Sequence, residues 1–295
     1  MYAGIEAGGT KVVCTVGTGP DDLVASASFP TTTPAETLGR AIDFVRGQPA
    51  IDAIGVASFG PVDLREGSAT YGTITSTPKP GWRDIDVVGP LRSAFGVPVG
   101  FDSDVNGAAL GEHRWGAARG LDTFVYVTLG TGVGAGGMAG GQLLHGALHP
   151  EMGHLDVRRH PDDGYEGSCP FHGDCLEGLA SGPAVAARWG RPGTELGADL
   201  GPAVTIEAWY LAQLVLAVTY VLSPRRVIVG GGVAKLPGLF AATHETVERR
   251  LAGYVDVPEV RDLAGYVVPP GLGDRAGVLG AIALAERAAD AQRPS

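Results

Sequence analysis

The chain has 295 residues, and its 32 acidic against 22 basic residues leave a net charge of −10. At roughly 100 to 200 residues per domain this length predicts two domains, enough to bury about three quarters of the unfolded surface without staples. The acidic balance and the lack of any Lys/Arg run exclude a duplex-binding protein, so no nucleic-acid partner is expected. The longest apolar stretch, residues 211–222, is interrupted by Gln213 and falls short of the roughly 20 residues that span a bilayer. No membrane association is expected. Met1 leads into Tyr2-Ala3-Gly4-Ile5-Glu6 without a basic region or an apolar signal core, so a cytoplasmic location is expected. Three cysteines, an odd count, do not make a disulfide framework.

Apolar runs of four to eight residues alternate with helix-like segments. A first strand is expected from residue 3 or 4, a second over 11–16, a helix over 34–46, a strand over 53–57, a helix over 85–95, a strand over 97–101 and a helix over 105–117. The seam between two domains is placed at 117–121. Beyond it come a strand over 124–129, helices over 183–189 and 206–222, a strand over 226–229, and helices over 239–251 and 276–289. This alternation predicts an α/β protein with domains 1–117 and 118–295, whose last helix, 276–290, could return to the first domain.

Forty-seven glycines, roughly twice ordinary usage, sit in short clusters between the apolar runs. Two clusters stand at matching places in the two halves, Gly8-Gly9-Thr10-Lys11 and Gly130-Thr131-Gly132 with Gly134 beyond it. A phosphate needs several backbone N–H groups converging on it; glycine lets the backbone approach, and threonine and lysine add donors. The pair predicts a nucleotide gripped from each domain, against the alternative of two ordinary hairpin turns. Later glycine turns, Ser58-Phe59-Gly60-Pro61 and Gly230-Gly231-Gly232, repeat the echo. Gly132, Gly134 and Gly137 have the dinucleotide spacing, but no helix begins within them, and no Walker Gly-Lys-Ser/Thr occurs.

Asp102-Ser103-Asp104 ends one expected strand and opens the next helix. Any of the three can cap that helix. Their crowding at a strand's carboxyl end, where α/β folds place ligand crevices, favours Asp104 as a base that accepts a proton from an attacking hydroxyl. The helix dipole is expected to keep it ionised.

Five of the seven histidines, His145, His149, His154, His160 and His172, fall in the same stretch as Cys169 and Cys175. Cys169-Pro170-Phe171-His172-Gly173-Asp174-Cys175 offers three soft ligands at a spacing a tetrahedral Zn²⁺ can close with one more. His154 is the expected fourth and His160 its competitor, against free buried thiols and surface histidines. Cys14 reads as core, and Trp189 as core or as a flank for adenine.

Together these motifs resemble the ROK family of sugar kinases, within the actin-like ATPase superfamily, and most closely its fructokinase branch. Glu6-Ala7-Gly8-Gly9-Thr10-Lys11 is similar to the family's first phosphate motif, Leu129-Gly130-Thr131-Gly132-Val133-Gly134 to its second, and Gly230-Gly231-Gly232 to the turn near adenosine. Asp104-Val105-Asn106 with Ala108-Ala109-Leu110-Gly111-Glu112 resembles the catalytic stretch, and Glu151-Met152-Gly153-His154 the sugar and zinc motif. Glu6 replaces the usual Asp of the first motif, Ser103 the usual Asn before the base, and His172 stands in a zinc motif that is often all cysteine after its first histidine. These variants, with residues 72–82 and 149–154, look like the fructokinase branch.

The resemblance implies two ribonuclease H-like domains flanking a cleft, and ATP-dependent phosphorylation of a hexose, fructose at its 6-hydroxyl, with glucose, mannose or an N-acylhexosamine as alternatives. It implies Asp104 as base. Gly8, Gly9, Thr10, Lys11, Gly130, Thr131, Gly132, Gly134, Gly231 and Gly232 would bind ATP with Mg²⁺. Ser103, Asp104, Glu151, His154 and Glu177 would bind the sugar, and His154, Cys169, His172 and Cys175 a structural zinc. A homodimer is implied as well. The family's sugar-sensing repressors carry an N-terminal helix-turn-helix that this early first strand does not accommodate.

Overall fold

A computed structural model describes residues 1–293, and the chain divides into two compact units. Unit 1 holds Met1–Arg119, Leu143–Pro150 and the segment from Asp274 onward; unit 2 holds Gly120–Gln142 and Glu151–Gly273.

Unit 1 opens with an antiparallel meander of β1 (Tyr2–Ala7), β2 (Lys11–Gly19) and β3 (Asp22–Pro30). Helix α1 (Pro34–Arg46) starts where Thr33 accepts the Glu36 N–H and Pro34 fills the first turn, and Gly47 closes it. After β4 (Ala53–Ser58), the short strands β5 (Thr73–Ile74) and β6 (Ile85–Asp86) pair with each other. Residues 85 and 86 are therefore strand where helix is expected. Helix α2 (Val88–Phe95) begins only after the Asp86 carboxylate has accepted the Gly89 N–H at 2.8 Å. Next come β7 (Val99–Ser103) and α3 (Asp104–Trp115), which ends two residues before the expected 117. The sheet order is β3-β2-β1-β4-β7, with β1, β4 and β7 parallel.

Unit 2 repeats this plan. Strands β8 (Phe124–Leu129), β9 (Val133–Ala139) and β10 (Gln142–Leu143) are followed by α4 (Leu176–Ala180), α5 (Gly182–Trp189) and α6 (Leu200–Leu222). Strand β11 (Val227–Gly230), helices α7 (Leu239–Leu251), α8 (Pro258–Arg261) and α9 (Leu263–Tyr266), and strand β12 (Val267–Val268) complete it. The order β10-β9-β8-β11-β12 mirrors that of unit 1, with β8, β11 and β12 parallel. Helix α6 has the length and apolarity of a membrane span, yet it is a core helix: Leu211, Leu214 and Val215 are fully covered and Glu207 is buried with a hydrogen bond from Arg188.

The last helix, α10 (Ala276–Ala291), belongs to unit 1 and packs on β1, β4 and α3. Its approach is backbone to backbone. A Cβ at Gly55 would collide with the Ala281 carbonyl, and one at Gly280 with the Gly107 carbonyl. Ala53, Ile54, Ala281, Ile282 and Ala285 are fully buried in this region.

Candidate active site and metal centre

Strand register gathers the polar residues of unit 1. Ala7 lies opposite Ser58, and Ser58 opposite Ser103, so β1, β4 and β7 end in one row. The 8–11 turn, the Phe59-Gly60-Pro61 turn and Asp104 therefore leave the same edge of the sheet, where parallel strands of α/β folds present ligands. The 8–11 turn is a hairpin closed by a Gly8 N–H bond to the Lys11 carbonyl at 3.0 Å. Gly9, Thr10 and Lys11 are exposed, and a Cβ at Gly9 would meet nothing within 4 Å. Packing thus does not explain that glycine, and the turn leaves room for a ligand to approach the backbone.

Ser103, not Asp104, caps α3, its hydroxyl accepting the Asn106 N–H at 3.3 Å. Asp104 is the first helical residue, half-buried, with Oδ1 accepting the Val105 N–H at 2.8 Å. Burial raises its carboxyl to about 6 and outweighs the backbone hydrogen bonds that pull it down. The expected dipole effect is therefore overridden by desolvation. Glu6 on β1 is raised further, to about 7, first by burial and then by the charge of Asp104, with Lys11 opposing.

The sequence offers Asp102 as a cap for α3 and does not reveal that it is a buried carboxylate with partners from distant segments. Asp102 accepts the Ser103 N–H at 2.8 Å and Asn106 Nδ2 at 2.9 Å on one oxygen, and His145 Nε2 at 2.8 Å on the other. His149 is also placed, its Nε2 accepting the Val62 N–H at 3.0 Å. No local pattern signals these contacts, because the partners lie 43 and 87 residues apart.

In unit 2, Thr128 lies opposite Gly230, so the 130–132 turn and Gly231 leave one edge together. Gly231 has φ +94°, and a Cβ on it would collide with the Leu129 carbonyl, so glycine is required there. The Gly182 N–H, in the first turn of α5, donates to the Gly130 carbonyl at 2.7 Å. Thr131 is exposed in the turn, Gly132 is half-buried, and Gly232 has open space around its Cα. Gly134 lies outside the turn, within β9 opposite Thr128. Glu177 on α4 folds back so that its Oε2 accepts the Val133 N–H at 3.1 Å, and Gly132 leaves room for it. The Glu151-Met152-Gly153-His154 turn sits on the same strand, since a Cβ at Gly153 would strike the Val133 carbonyl. Glu151 itself is exposed.

His154, Cys169, His172 and Cys175 converge, their donor atoms all within 4.8 Å of one another. His154 Nδ1 lies 3.5 Å from Cys175 Sγ and 3.7 Å from Cys169 Sγ, and His172 Nδ1 lies 3.7 Å from Cys169 Sγ. The Cys169 N–H and carbonyl both bond to Gly173, which tightens the loop between two of the ligands. This donor set suits a tetrahedral metal. His160 is not part of it: its ring stands edge-on to Trp209 at 5.3 Å and its Nδ1 accepts the Asp162 N–H. Cys14 is buried in the unit 1 core, and Trp189 packs on the unit 2 core.

A second network supports this region and was not legible in the sequence. The buried Arg188 guanidinium bonds both oxygens of Asp163 at 2.9 Å, Glu207 at 2.9 Å and the Leu179 carbonyl of α4 at 2.7 Å. The Tyr210 hydroxyl donates to Asp163 at 2.5 Å.

The sequence profile of the ROK family matches residues 2–288. A fructokinase of Zymomonas mobilis is 46% identical over 249 residues, which cover 82% of this chain and 83% of the relative. A fructokinase of Lactococcus lactis subsp. cremoris is 42% identical over 258 residues, 87% of each chain. The structure of a ROK family glucokinase from Streptomyces griseus, in complex with glucose and AMPPNP, superposes with a TM-score of 0.74 at 25% identity, covering 97% of this chain and 99% of that one.

Proposed function

The chain belongs to the ROK family, with its actin-like α/β fold, and from that premise we propose that it is an ATP-dependent fructokinase acting on the 6-hydroxyl of D-fructose. The observation that carries the reading is the single sheet edge of unit 1, which presents the open glycine turn and the Asp104 carboxylate together, in a chain 42% and 46% identical to two fructokinases.

The hydroxyl of the sugar attacks the γ-phosphorus, the bond to the β,γ-bridging oxygen breaks as ADP leaves, and the hydroxyl proton passes to Asp104. A base poised near 6 holds that proton better than an ordinary aspartate while remaining mostly ionised at pH 7. Backbone N–H groups of Gly9, Thr10, Thr131 and Gly132 and the Lys11 ammonium would hold the phosphates, with Gly8 and Gly130, whose own N–H groups close the two turns, letting the backbone approach and Gly134 behind the second turn, and with Gly231 and Gly232 beside the nucleoside. Mg²⁺ would enter on ATP and neutralise charge on its phosphates. Ser103, Glu151, His154 and Glu177 would fix the sugar hydroxyls.

The four soft donors fit Zn²⁺. Bonds of about 2.3 Å to sulfur and about 2.0 Å to nitrogen in a tetrahedron imply sulfur–nitrogen edges of about 3.5 Å. The edges of 3.5 and 3.7 Å found here agree. Four protein ligands close the site, so its work is structural, holding the turn that bears Glu151. Three free cysteines accord with a cytoplasmic location. Exposed Tyr220, Val221 and Tyr254 accord with a homodimer, which sedimentation would reveal.

The test is ADP release with fructose, glucose, mannose and N-acetylhexosamines, on the native chain and on Asp104→Asn. Turnover that peaks with fructose and collapses in the variant supports the reading. Turnover that peaks with another hexose overturns the substrate, and none with any sugar overturns the kinase.

A further inference from the structure

The transfer scheme leaves His145 unused. It lies in Leu143–Pro150, the stretch that clusters with unit 1 although the chain before and after it belongs to unit 2. Its Nε2–H donates to Asp102, a carboxylate only 3% exposed, while the imidazole itself is 44% exposed. Burial of the ring therefore does not account for its placement; the bond to Asp102 does. The adjacent Leu144 carbonyl accepts a hydrogen bond from Asn106 Nδ2 at 3.3 Å, so two successive residues attach to the junction of β7 and α3, one on each side of it.

Asp102 divides its oxygens. Oδ1 holds the Ser103 N–H and the Asn106 amide, both at the start of α3, and Oδ2 has His145. A buried carboxylate lacking a donor on one oxygen bears a desolvation cost and turns or protonates to relieve it. Either change would release the Ser103 backbone, which immediately precedes Asp104. Among the described residues, the charged and titratable groups that act on His145 besides Asp102 include Arg287 of α10 and His149 of its own segment. The Asp102 bond holds the imidazole above its ordinary range, against partial burial and the Arg287 charge.

We propose that His145 is a positioning residue of the phosphoryl-transfer site: by fixing the plane of Asp102 it sets the Ser103 backbone, and with it the direction in which Asp104 faces the acceptor hydroxyl. This inference rests on the fructokinase reading for its kinetic consequence, and on the Asp102 contact alone for its structural one.

The experiment compares His145→Ala and His145→Gln in the full chain, and follows the imidazole of His145 by NMR in the wild type and in Asp102→Asn. Displacement of a supporting hydrogen bond costs about tenfold or more in rate. His145→Ala should lower kcat by about tenfold, with the KM for fructose and for ATP changed less than about twofold and the unfolding midpoint unmoved. His145→Gln, whose amide can donate to the same oxygen, should recover most of the rate, and added imidazole part of it in the alanine variant. The His145 ring should titrate above the ordinary value of about 6.5 and return toward it in Asp102→Asn. Wild-type kcat in His145→Ala overturns the proposal. So does a loss that tracks a lowered unfolding midpoint and that neither glutamine nor imidazole recovers. An unshifted ring titration refutes the contact itself with no reference to activity, whereas a wild type without fructose-dependent ADP release refutes the fructokinase reading instead.

Discussion

Replacing Arg188 by methionine removes the cation from a pocket where it is 6% exposed and where its partners Asp163 and Glu207 are 0% and 1% exposed. Breaking a buried pair from one side costs about 3–5 kcal/mol, because the remaining charge stays desolvated. The two acids do not share that burden equally. Burial raises Glu207 to about 8, so at pH 7 it is mostly protonated, while for Asp163 burial is outweighed by the hydrogen bonds from Arg188 and Tyr210, which together hold it below the ordinary range and charged. Arg188→Met should therefore lower stability by about 3–5 kcal/mol, on the order of 10 °C in the unfolding midpoint of unit 2. Glu207→Gln keeps a carbonyl oxygen for Arg188 Nη1 and should cost less than about 1 kcal/mol at pH 7. The sign with pH follows from the raised folded pKa. Between the ordinary value of 4.5 and about 8 the folded state binds the extra proton, so Glu207 makes wild-type stability fall as pH rises through that window. Glu207→Gln should flatten that slope. Urea unfolding at pH 5, 7 and 8, followed by circular dichroism, measures both quantities. Equal losses in Arg188→Met and Glu207→Gln at pH 7, or an unchanged slope in Glu207→Gln, would refute the assignment of charge within the network.

Three further outcomes are expected. Because Asp104 must be ionised to accept the proton, kcat/KM for fructose should rise with pH through about 6, and Asp104→Asn should lose about 10² to 10⁴ in kcat; a pH-rate profile flat from 5 to 7 contradicts the base. Stripping the metal with a chelator should raise the fructose KM while leaving the ATP KM in place, since His154 shares its turn with Glu151; an unchanged fructose KM removes the link between metal and sugar loop. Gly9→Ala should unfold like the wild type, because its Cβ meets nothing within 4 Å, yet raise the ATP KM; a lowered unfolding midpoint with unchanged ATP KM would mean that the glycine serves the fold.

What the sequence discloses depends on how local the cause is. Helix α1 is legible at both ends, since Thr33, Pro34 and Gly47 each act within one turn. The converging Cys169, His172 and Cys175 are legible because one short loop carries them. Strand β3 is not, for its alternation of exposed and half-buried positions includes Ala25, Ser26, Ala27 and Ser28, which carry little hydrophobic signal. Nor is β9, where Gly134, Gly136 and Gly137 depress strand propensity; Gly137 is kept because a Cβ there would strike the Phe124 carbonyl. The Asp102–His145 pair and the Arg188 network lie beyond any pattern reading, since each joins residues from separate elements through side chains that look like surface charge. Residues 85–86 read as helix because a helical pattern runs through them, and only the pairing with β5 makes them strand.

The position of α10 bears on how the protein is made. Translation delivers the meander, β4 and β7 early and the helix that covers their inner face last, after all of unit 2 has left the ribosome. The glycine-lined floor at Gly4, Gly55 and Gly100, shaped for backbone contact with that helix, stays uncovered for most of synthesis. Unit 1 is thus first to emerge and last to close, and a nascent chain halted before residue 276 would display an apolar sheet face of the kind that chaperones bind.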